Sequence, residues 1–189
     1  MLTVYVDFKS PESYLALRPT LALAEETGVG ISWRPFRSSQ FSIPEQQESE
    51  SVGQSHRRVR AQSRHDTFVK YAALQGIDLR LPSAPQPTDL ALGVLGQLRD
   101  DALPFVEAAF DAYWQRHLSL NSPEVVSSLL AEAMMSFELD PDHAHKVLAQ
   151  AQDDAEAVGI VETPAFVVAD QIFIGREHFP WIKDIVNSF

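Results

Sequence analysis

A serine and a proline stand together where a predicted strand gives way to a predicted helix. The apolar run at residues 2–8 is rich in β-branched and aromatic residues, which is typical of a buried strand. Ser10-Pro11-Glu12-Ser13 follows it directly. Serine is a favoured N-cap and proline is favoured at the first helical position, so this tetrapeptide predicts a helix that starts at Ser10.

The chemistry predicted at this turn is the stabilisation of an anion. A helix N-terminus leaves backbone N–H groups unpaired and carries about half a positive charge, which stabilises a thiolate. The chain contains no cysteine, so the thiolate has to come from a ligand. Serine is a weak nucleophile without an adjacent base, and no histidine lies near Ser10 in the sequence. We therefore predict that the Ser10 hydroxyl donates a hydrogen bond to a bound thiolate; the alternative is that Ser10 only caps the helix.

Three arginines form a second group with chemical potential. Arg57, Arg60 and Arg64 are spaced i, i+3 and i+7, so they share one face of a helix predicted at about residues 56–75. This face suits a carboxylate ligand, and the alternative is an ordinary solvated surface. His178 is a further candidate, as a general base. The two histidines nearest each other are two residues apart, without the i, i+4 spacing of a helical metal site, so no metal is predicted.

Composition limits the partners and the compartment. The 189 residues include 15 lysines and arginines against 26 aspartates and glutamates, a formal net charge of −11. Affinity for nucleic acid comes mostly from cations that neutralise phosphates, so no nucleic-acid partner is predicted. No apolar run approaches the roughly 20 residues of a membrane span. Residues 1–4 lack the basic region that begins a secretory signal, and together with the missing cysteines this predicts a cytoplasmic protein with no membrane partner.

The elements that must position these residues lie at the two ends of the chain. Residues 2–36 predict a strand, a helix and a strand. Residues 164–187 predict a hairpin that turns at Asp170, followed by an amphipathic helix. The segment between them starts with a polar loop at residues 37–55 and continues as helices, so it looks like an insertion between two parts of one sheet. Thr88 is predicted as the N-cap of one of these helices, and Ser122-Pro123 and Asp140-Pro141 predict the starts of two others.

This order resembles the DsbA-like branch of the thioredoxin fold. On that pattern the chain is an α/β protein with thioredoxin-like topology, βαβ…ββα, in which residues 1–36 and 158–189 form one domain. Residues 37–157 then form a large inserted helical domain. Thr163-Pro164 stands before the third strand, where this fold has a cis-proline that faces the first helix, so Pro164 is expected to be cis.

Within this branch the sequence resembles the 2-hydroxychromene-2-carboxylate isomerases and the related kappa-class glutathione transferases. The resemblance spans nearly the whole chain. The stretches that carry it are Asp7-Phe8-Lys9-Ser10-Pro11-Glu12-Ser13-Tyr14-Leu15, Trp33-Arg34-Pro35-Phe36, Tyr71-Ala72-Ala73-Leu74-Gln75-Gly76-Ile77, Phe110-Asp111-Ala112-Tyr113-Trp114, Pro164-Ala165-Phe166-Val167-Val168 and Phe173-Ile174-Gly175.

The resemblance implies a glutathione cofactor and a homodimer. Ser10 would lie beside the glutathione sulfur, and the backbone of Thr163 would pair with the glutathione peptide. The loop that begins at Gly175 would hold the γ-glutamyl end. The residues assigned to the cofactor on this basis are Ser10, Pro11, Thr163, Pro164, Arg176 and Glu177.

We therefore predict a glutathione-dependent isomerase or transferase that acts on a small aromatic or hydrophobic carbonyl substrate. The residues assigned to that substrate are Arg57, Arg60, Arg64 and His178. Glu177-His178 replaces the Asp-Arg pair usual in the family, which motivates the alternative of a DsbA-family binding protein without redox chemistry. Disulfide exchange is excluded because the chain has no cysteine.

Overall fold

A four-stranded sheet is built from the two ends of the chain. The computed structural model describes residues 1–82, 86–98 and 102–188. Its strands are β1 (Leu2–Val6), β2 (Ile31–Pro35), β3 (Ala165–Val168) and β4 (Gln171–Ile174). They lie in the order β2-β1-β3-β4, with β1 parallel to β2 and β3 antiparallel to both β1 and β4. The predicted βαβ and ββα units are thus confirmed.

Helices connect and cover this sheet. In the described residues they are α1 (Pro11–Thr27), α2 (Val52–Leu74), α3 (Asp89–Leu95), α4 (Leu103–Trp114), α5 (Pro123–Glu132), α6 (Pro141–Ala157) and α7 (Phe179–Val186), with a 3₁₀ turn at Arg176–His178. Helices α2 to α6 lie between β2 and β3, as expected of a helical insertion, while the domain boundaries stay a prediction. Across the described ranges, no helix is both long enough and apolar enough to cross a membrane.

Three helices begin at the Ser-Pro or Asp-Pro pairs that predicted them. The side chains of Ser10, Ser122 and Asp140 each accept a hydrogen bond from the backbone N–H three residues later. Helix α1 ends at Gly28, which has a left-handed φ of 71°. Glycine adopts this conformation without the steric cost that a Cβ brings, so the chain can turn there into β2.

The predicted start of α2 is wrong. A loop was expected up to residue 55, but the helix begins at Val52. The Ser51 side chain accepts a hydrogen bond from the backbone N–H of Gln54, and the Gln54 side chain accepts one from the backbone N–H of Ser51. This reciprocal cap starts the helix inside a segment whose Ser/Gln/Glu composition suggests a loop.

An apolar core joins the sheet to the inserted helices. Phe8, just after β1, packs edge-on against Phe105 and Phe110 of α4, with ring centroids 6.1 and 5.1 Å away. The indole N–H of Trp114 donates a hydrogen bond of 2.9 Å to the carbonyl oxygen of Phe8. Tyr14 of α1 stacks on the same indole at 5.5 Å. Helix α4 therefore contacts the chain both before Ser10, at Phe8, and after it, at Tyr14.

Candidate active site

The start of α1 and the segment before β3 meet at one end of the sheet. Ser10 is the N-cap of α1, and its Oγ accepts a hydrogen bond of 3.1 Å from the backbone N–H of Ser13. The same hydroxyl donates to the carbonyl oxygen of Thr163 at 3.4 Å. The Thr163–Pro164 peptide bond is cis, which confirms that prediction. The two motifs singled out in the sequence are therefore neighbours in space.

Two adjoining clefts open at this end. The serine cleft has a volume of about 400 Å³ and is lined by Ser10, Pro11, Glu12, Ser38, Ser39, Gln40, Phe41, Ser42, Arg57, Arg60, Ala61, Arg64, Val161, Glu162 and Thr163. The proline cleft has a volume of about 380 Å³ and is lined by Glu12, Leu15, Arg64, Thr67, Phe68, Tyr71, Glu162, Thr163, Pro164, Ile174, Gly175, Arg176 and Glu177. Both volumes fall in the range of small-molecule sites, about 300–1,000 Å³.

The residues predicted to bind the cofactor divide between the clefts. Ser10 and Pro11 line the serine cleft, Pro164, Arg176 and Glu177 line the proline cleft, and Thr163 lines both. The guanidinium of Arg176 lies over the ring of Tyr71, 3.2 Å from its centroid. This contact attracts the cation to the face of the ring and fixes it at the wall of the proline cleft.

The residues predicted to bind the substrate are less closely grouped. Arg57 and Arg60 line the serine cleft, and Arg64 lines both clefts. His178 lines neither of them. Its ring stacks on Trp181, with centroids 5.4 Å apart, and its role as a general base stays a prediction.

Thr163 contributes a side chain that sequence reasoning overlooked. Only its backbone was assigned a role, but its Oγ1 is buried and has no hydrogen-bond partner among the described residues. The residue is 3% exposed and borders both clefts. A buried polar group without a partner costs about 1–3 kcal/mol. The unpaired Oγ1 of Thr163 therefore costs stability at the boundary of the two clefts.

Arg64 is committed to two carboxylates of the protein itself. Its Nε donates to Glu12 Oε1 at 2.6 Å, and its Nη2 donates to Glu162 Oε1 at 2.5 Å. All three residues lie where the two clefts meet. Within the described part of the chain, Arg57 and Arg60 form no salt bridge, so they are the cations of the serine cleft that a ligand can engage. The sequence showed the arginines but not these partners, which lie 52 and 98 residues from Arg64.

A buried pair of charges is hydrogen-bonded to Ser38, one of the residues that line the serine cleft. Asp7, directly after β1, is fully buried and pairs with the ammonium group of Lys9 at 2.5 Å. It also accepts hydrogen bonds from the backbone N–H and hydroxyl of Ser38 and from the hydroxyl of Thr88. Thr88 was predicted to cap α3, but its side chain makes no cap bond. Asp7 instead ties together β1, the cleft wall at Ser38 and the start of α3.

The sequence of the chain matches one known protein family along almost its whole length. The model of the DSBA-like thioredoxin domain matches residues 1–187. The chain belongs to the DSBA-like thioredoxin domain family. The fold predicted from the order of its elements is confirmed by this match and by the sheet topology.

Within the DSBA-like family, the chain is similar in sequence to a named enzyme. The chain is 30% identical to 2-hydroxychromene-2-carboxylate isomerase from Sphingobium xenophagum in an alignment of 192 positions that covers 95% of this chain and 94% of the relative. The resemblance to 2-hydroxychromene-2-carboxylate isomerases that the motifs predicted is thus confirmed.

Solved structures of other proteins share the fold of this chain. A structure of 2-hydroxychromene-2-carboxylate isomerase matches with a TM-score of 0.70 and 18% identity, over 97% of this chain and 92% of that one. A protein named probable DsbA oxidoreductase, from Streptomyces coelicolor, matches with a TM-score of 0.70 and 18% identity, over 99% of this chain and 88% of that one. At these identities the two structures show the DSBA-like fold alone.

The arrangement of this DSBA-like site favours binding of an anionic ligand that also has an apolar part. Ser10, at the N-terminus of α1, lines one cleft, where Arg57 and Arg60 add positive charge. Leu15 and Phe68 give the adjoining cleft an apolar wall. In the described ranges no group of three or more histidine, aspartate or glutamate residues is placed to hold a metal ion.

Proposed function

We propose that the protein is a glutathione-dependent isomerase of the DsbA-like family that acts on a small aromatic or hydrophobic carbonyl compound. The identity with a 2-hydroxychromene-2-carboxylate isomerase along nearly the whole chain supports an isomerase. The observation that carries the proposal is the place of Ser10 Oγ, at the N-terminus of α1 in a cleft that Arg57 and Arg60 also line.

The residues present fit glutathione. The thiolate matches Ser10, because a hydroxyl donor and a helix N-terminus both stabilise an anion. The peptide part matches the backbone of Thr163, a residue that borders both clefts. The glycyl carboxylate matches Arg57 and Arg60 at the serine cleft. The γ-glutamyl carboxylate and ammonium groups, which share one carbon atom, match Arg176 and Glu177 at the proline cleft.

Glutathione supplies a thiolate that adds to a conjugated carbonyl compound and leaves again after a bond has rotated. The protein binds and orients the reactants. Ser10 donates its hydroxyl hydrogen bond to the sulfur and keeps it as a thiolate. Phe68 and Tyr71 offer the apolar wall for an aromatic ring. This division of labour needs no redox step, which agrees with the absence of cysteine.

Calorimetric titration with reduced glutathione tests the proposal. We expect saturable binding, together with the ultraviolet absorbance of a thiolate at a pH where free glutathione is a thiol, since an ordinary thiol has a pKa of about 8.5. Absence of both signals contradicts a glutathione-dependent enzyme and favours the alternative, a binding protein for some other ligand.

A conjugated aromatic carbonyl substrate then separates an isomerase from a transferase. An isomerase returns glutathione unchanged after each turnover, whereas a transferase consumes one glutathione for each product. The homodimer implied by the family resemblance stays a prediction, which light scattering on the purified protein checks.

A further inference from the structure

Glu12 stands where a base for the site is needed. The thiol must lose a proton beside Ser10, and no histidine lies among the described residues that line the two clefts. The acidic residues in those linings are Glu12, Glu162 and Glu177. Of these, Glu177 borders only the proline cleft, whereas Glu12 borders both clefts and follows Ser10 by two residues in the first turn of α1.

The two remaining carboxylates differ in their exposure to water. The side chain of Glu12 is 24% exposed and that of Glu162 is 49% exposed. Both contact the single guanidinium of Arg64, so the cluster carries one negative charge more than positive when both are ionised. A proton bound to the less hydrated carboxylate relieves this excess, because burial disfavours the charged form of a carboxyl group.

The electrostatic surroundings of Glu12 act in the same direction. Burial is the main cause that raises the pKa of Glu12, the charge of Glu162 raises it further, and Arg64 opposes both. The other charged groups that face the clefts are Arg57 and Arg60, from α2, and Arg176 and Glu177, from the segment after β4.

We propose that Glu12 is the proton acceptor of the site: it takes the proton that a thiol releases when the thiol is bound beside Ser10. This inference rests on the proposed glutathione function. The S–H bond breaks, its electron pair stays on sulfur, and an O–H bond forms at a carboxylate oxygen of Glu12. Two anions at one helix terminus repel each other, and release of the proton to solvent would leave both the thiolate and the Glu12 carboxylate charged. Transfer of the proton to Glu12 leaves a single negative charge, on sulfur. Reversal of the transfer regenerates the thiol.

Counting protons during binding tests this role without a turnover assay. Titration of the full chain with reduced glutathione, in buffers of different ionisation enthalpy near neutral pH, gives the number of protons released to solvent for each ligand bound. The thiolate absorbance gives the number of thiolates formed. For the natural protein we expect thiolates with almost no release of protons, because Glu12 keeps them. For Glu12→Gln we expect release of one proton for each thiolate.

Glu162→Gln is the matched control, because it removes the same charge from the same guanidinium. We expect its proton count to lie much closer to that of the natural protein than to that of Glu12→Gln, because the charge of Glu162 is the smallest of the causes that shift the pKa of Glu12. S-methylglutathione, which has no thiol proton, should give no transfer in any variant. An infrared difference spectrum of the natural protein supplies a second measurement that needs no variant: a protonated carboxyl band appears on binding of glutathione.

Three results overturn the proton-acceptor role alone: equal numbers of protons and thiolates in the natural protein, equal behaviour of Glu12→Gln and Glu162→Gln, or no carboxyl band. Absence of glutathione binding overturns this role together with the proposed function. The two failures are therefore distinguishable.

Discussion

The hydroxyl of Ser10 lies 3.4 Å from the carbonyl oxygen of Thr163, a residue 153 positions away in the sequence. This contact joins the N-terminus of α1 to the segment that precedes β3, and it places a hydrogen-bond donor at the mouth of the serine cleft. The donor is directed at this backbone carbonyl, which is a neutral acceptor. A bound thiolate is a stronger acceptor, because hydrogen bonds to charged groups are about twice as strong as neutral ones.

The substitution Ser10→Ala removes this donor. Loss of a hydrogen bond to a charged group costs about 1.5–3 kcal/mol, so the pKa of the bound glutathione thiol should rise by about one to two units. The N-cap is lost as well, which should lower the free energy of unfolding by about 1 kcal/mol and leave the fold intact. Ultraviolet titration of the bound thiol and urea denaturation measure the two effects separately.

Ser122→Ala is the control for the cap. Ser122 starts α5 with the same side-chain hydrogen bond to the third residue of its helix, and it lines neither cleft. We expect a similar loss of stability with no change in the pKa of the bound thiol. If both variants titrate like the natural protein, Ser10 acts only as a helix cap.

The substitution of both Arg57 and Arg60 by glutamine should weaken binding of glutathione. Each exposed cation contributes at the lower end of the range for a charge-assisted hydrogen bond, and about 1.4 kcal/mol corresponds to a tenfold change in Kd. We expect a loss of at least about tenfold, measured by calorimetry. Binding to the natural protein should also weaken with added salt, and that dependence should be smaller in the double variant.

Arg80→Gln is the matched control for charge. Arg80 is exposed and paired with Asp78, and it lines neither cleft. It removes one positive charge, half the change in the double variant, without touching the site. If the loss of binding free energy in Arg80→Gln were half of that in the double variant, the effect would belong to the overall charge rather than to the serine cleft.

Local signals in the sequence were enough for much of the fold. A cap bond joins residues three positions apart, and a strand reveals itself by its own apolar run, so the starts of α1, α5 and α6 could be predicted. The meeting of Ser10 with Thr163 followed from topology, because β1 and β3 are neighbours in the sheet. The start of α2 was predicted too late in the chain, because the polar composition around it suggested a loop and the capping pair Ser51 and Gln54 was not recognised.

Partners distant in sequence could not be predicted in the same way. Asp7 is bound by Ser38 and Thr88, which lie 31 and 81 residues away, and nothing in their local pattern marks them as its donors. The commitment of Arg64 to Glu12 and Glu162 is of the same kind. Helical spacing shows that three arginines share a face, but only the packing of α2 against α1 shows which of them is neutralised.

The stability of the protein should depend on pH through Glu12. Burial raises the pKa of its carboxyl group in the folded state, so between the ordinary and the raised pKa the folded chain binds more protons than the unfolded chain. The free energy of unfolding therefore falls as pH rises through this window, and Glu12→Gln lacks this contribution. Urea denaturation at a series of pH values should show the natural protein losing stability relative to Glu12→Gln. A difference that stays constant across the window contradicts the raised pKa.

The buried pair of Asp7 and Lys9 should respond unequally to loss of either partner. Asp7→Asn leaves a buried ammonium group without its counter-ion, and such a change costs about 3–5 kcal/mol of stability. Lys9→Met leaves the Asp7 carboxylate with its donors from Ser38 and Thr88, so we expect a smaller loss.

The double variant Asp7→Asn/Lys9→Met decides whether the two charges stabilise each other. Because it removes both charges, we expect it to be more stable than Asp7→Asn alone, with a coupling energy within the range of about 0.5–3 kcal/mol for residues in contact. Urea denaturation of the natural protein and the three variants completes the cycle. Losses that simply add would mean that Lys9 does not need Asp7, and that the carboxylate holds the Ser38 wall of the serine cleft through its hydroxyl and backbone donors alone.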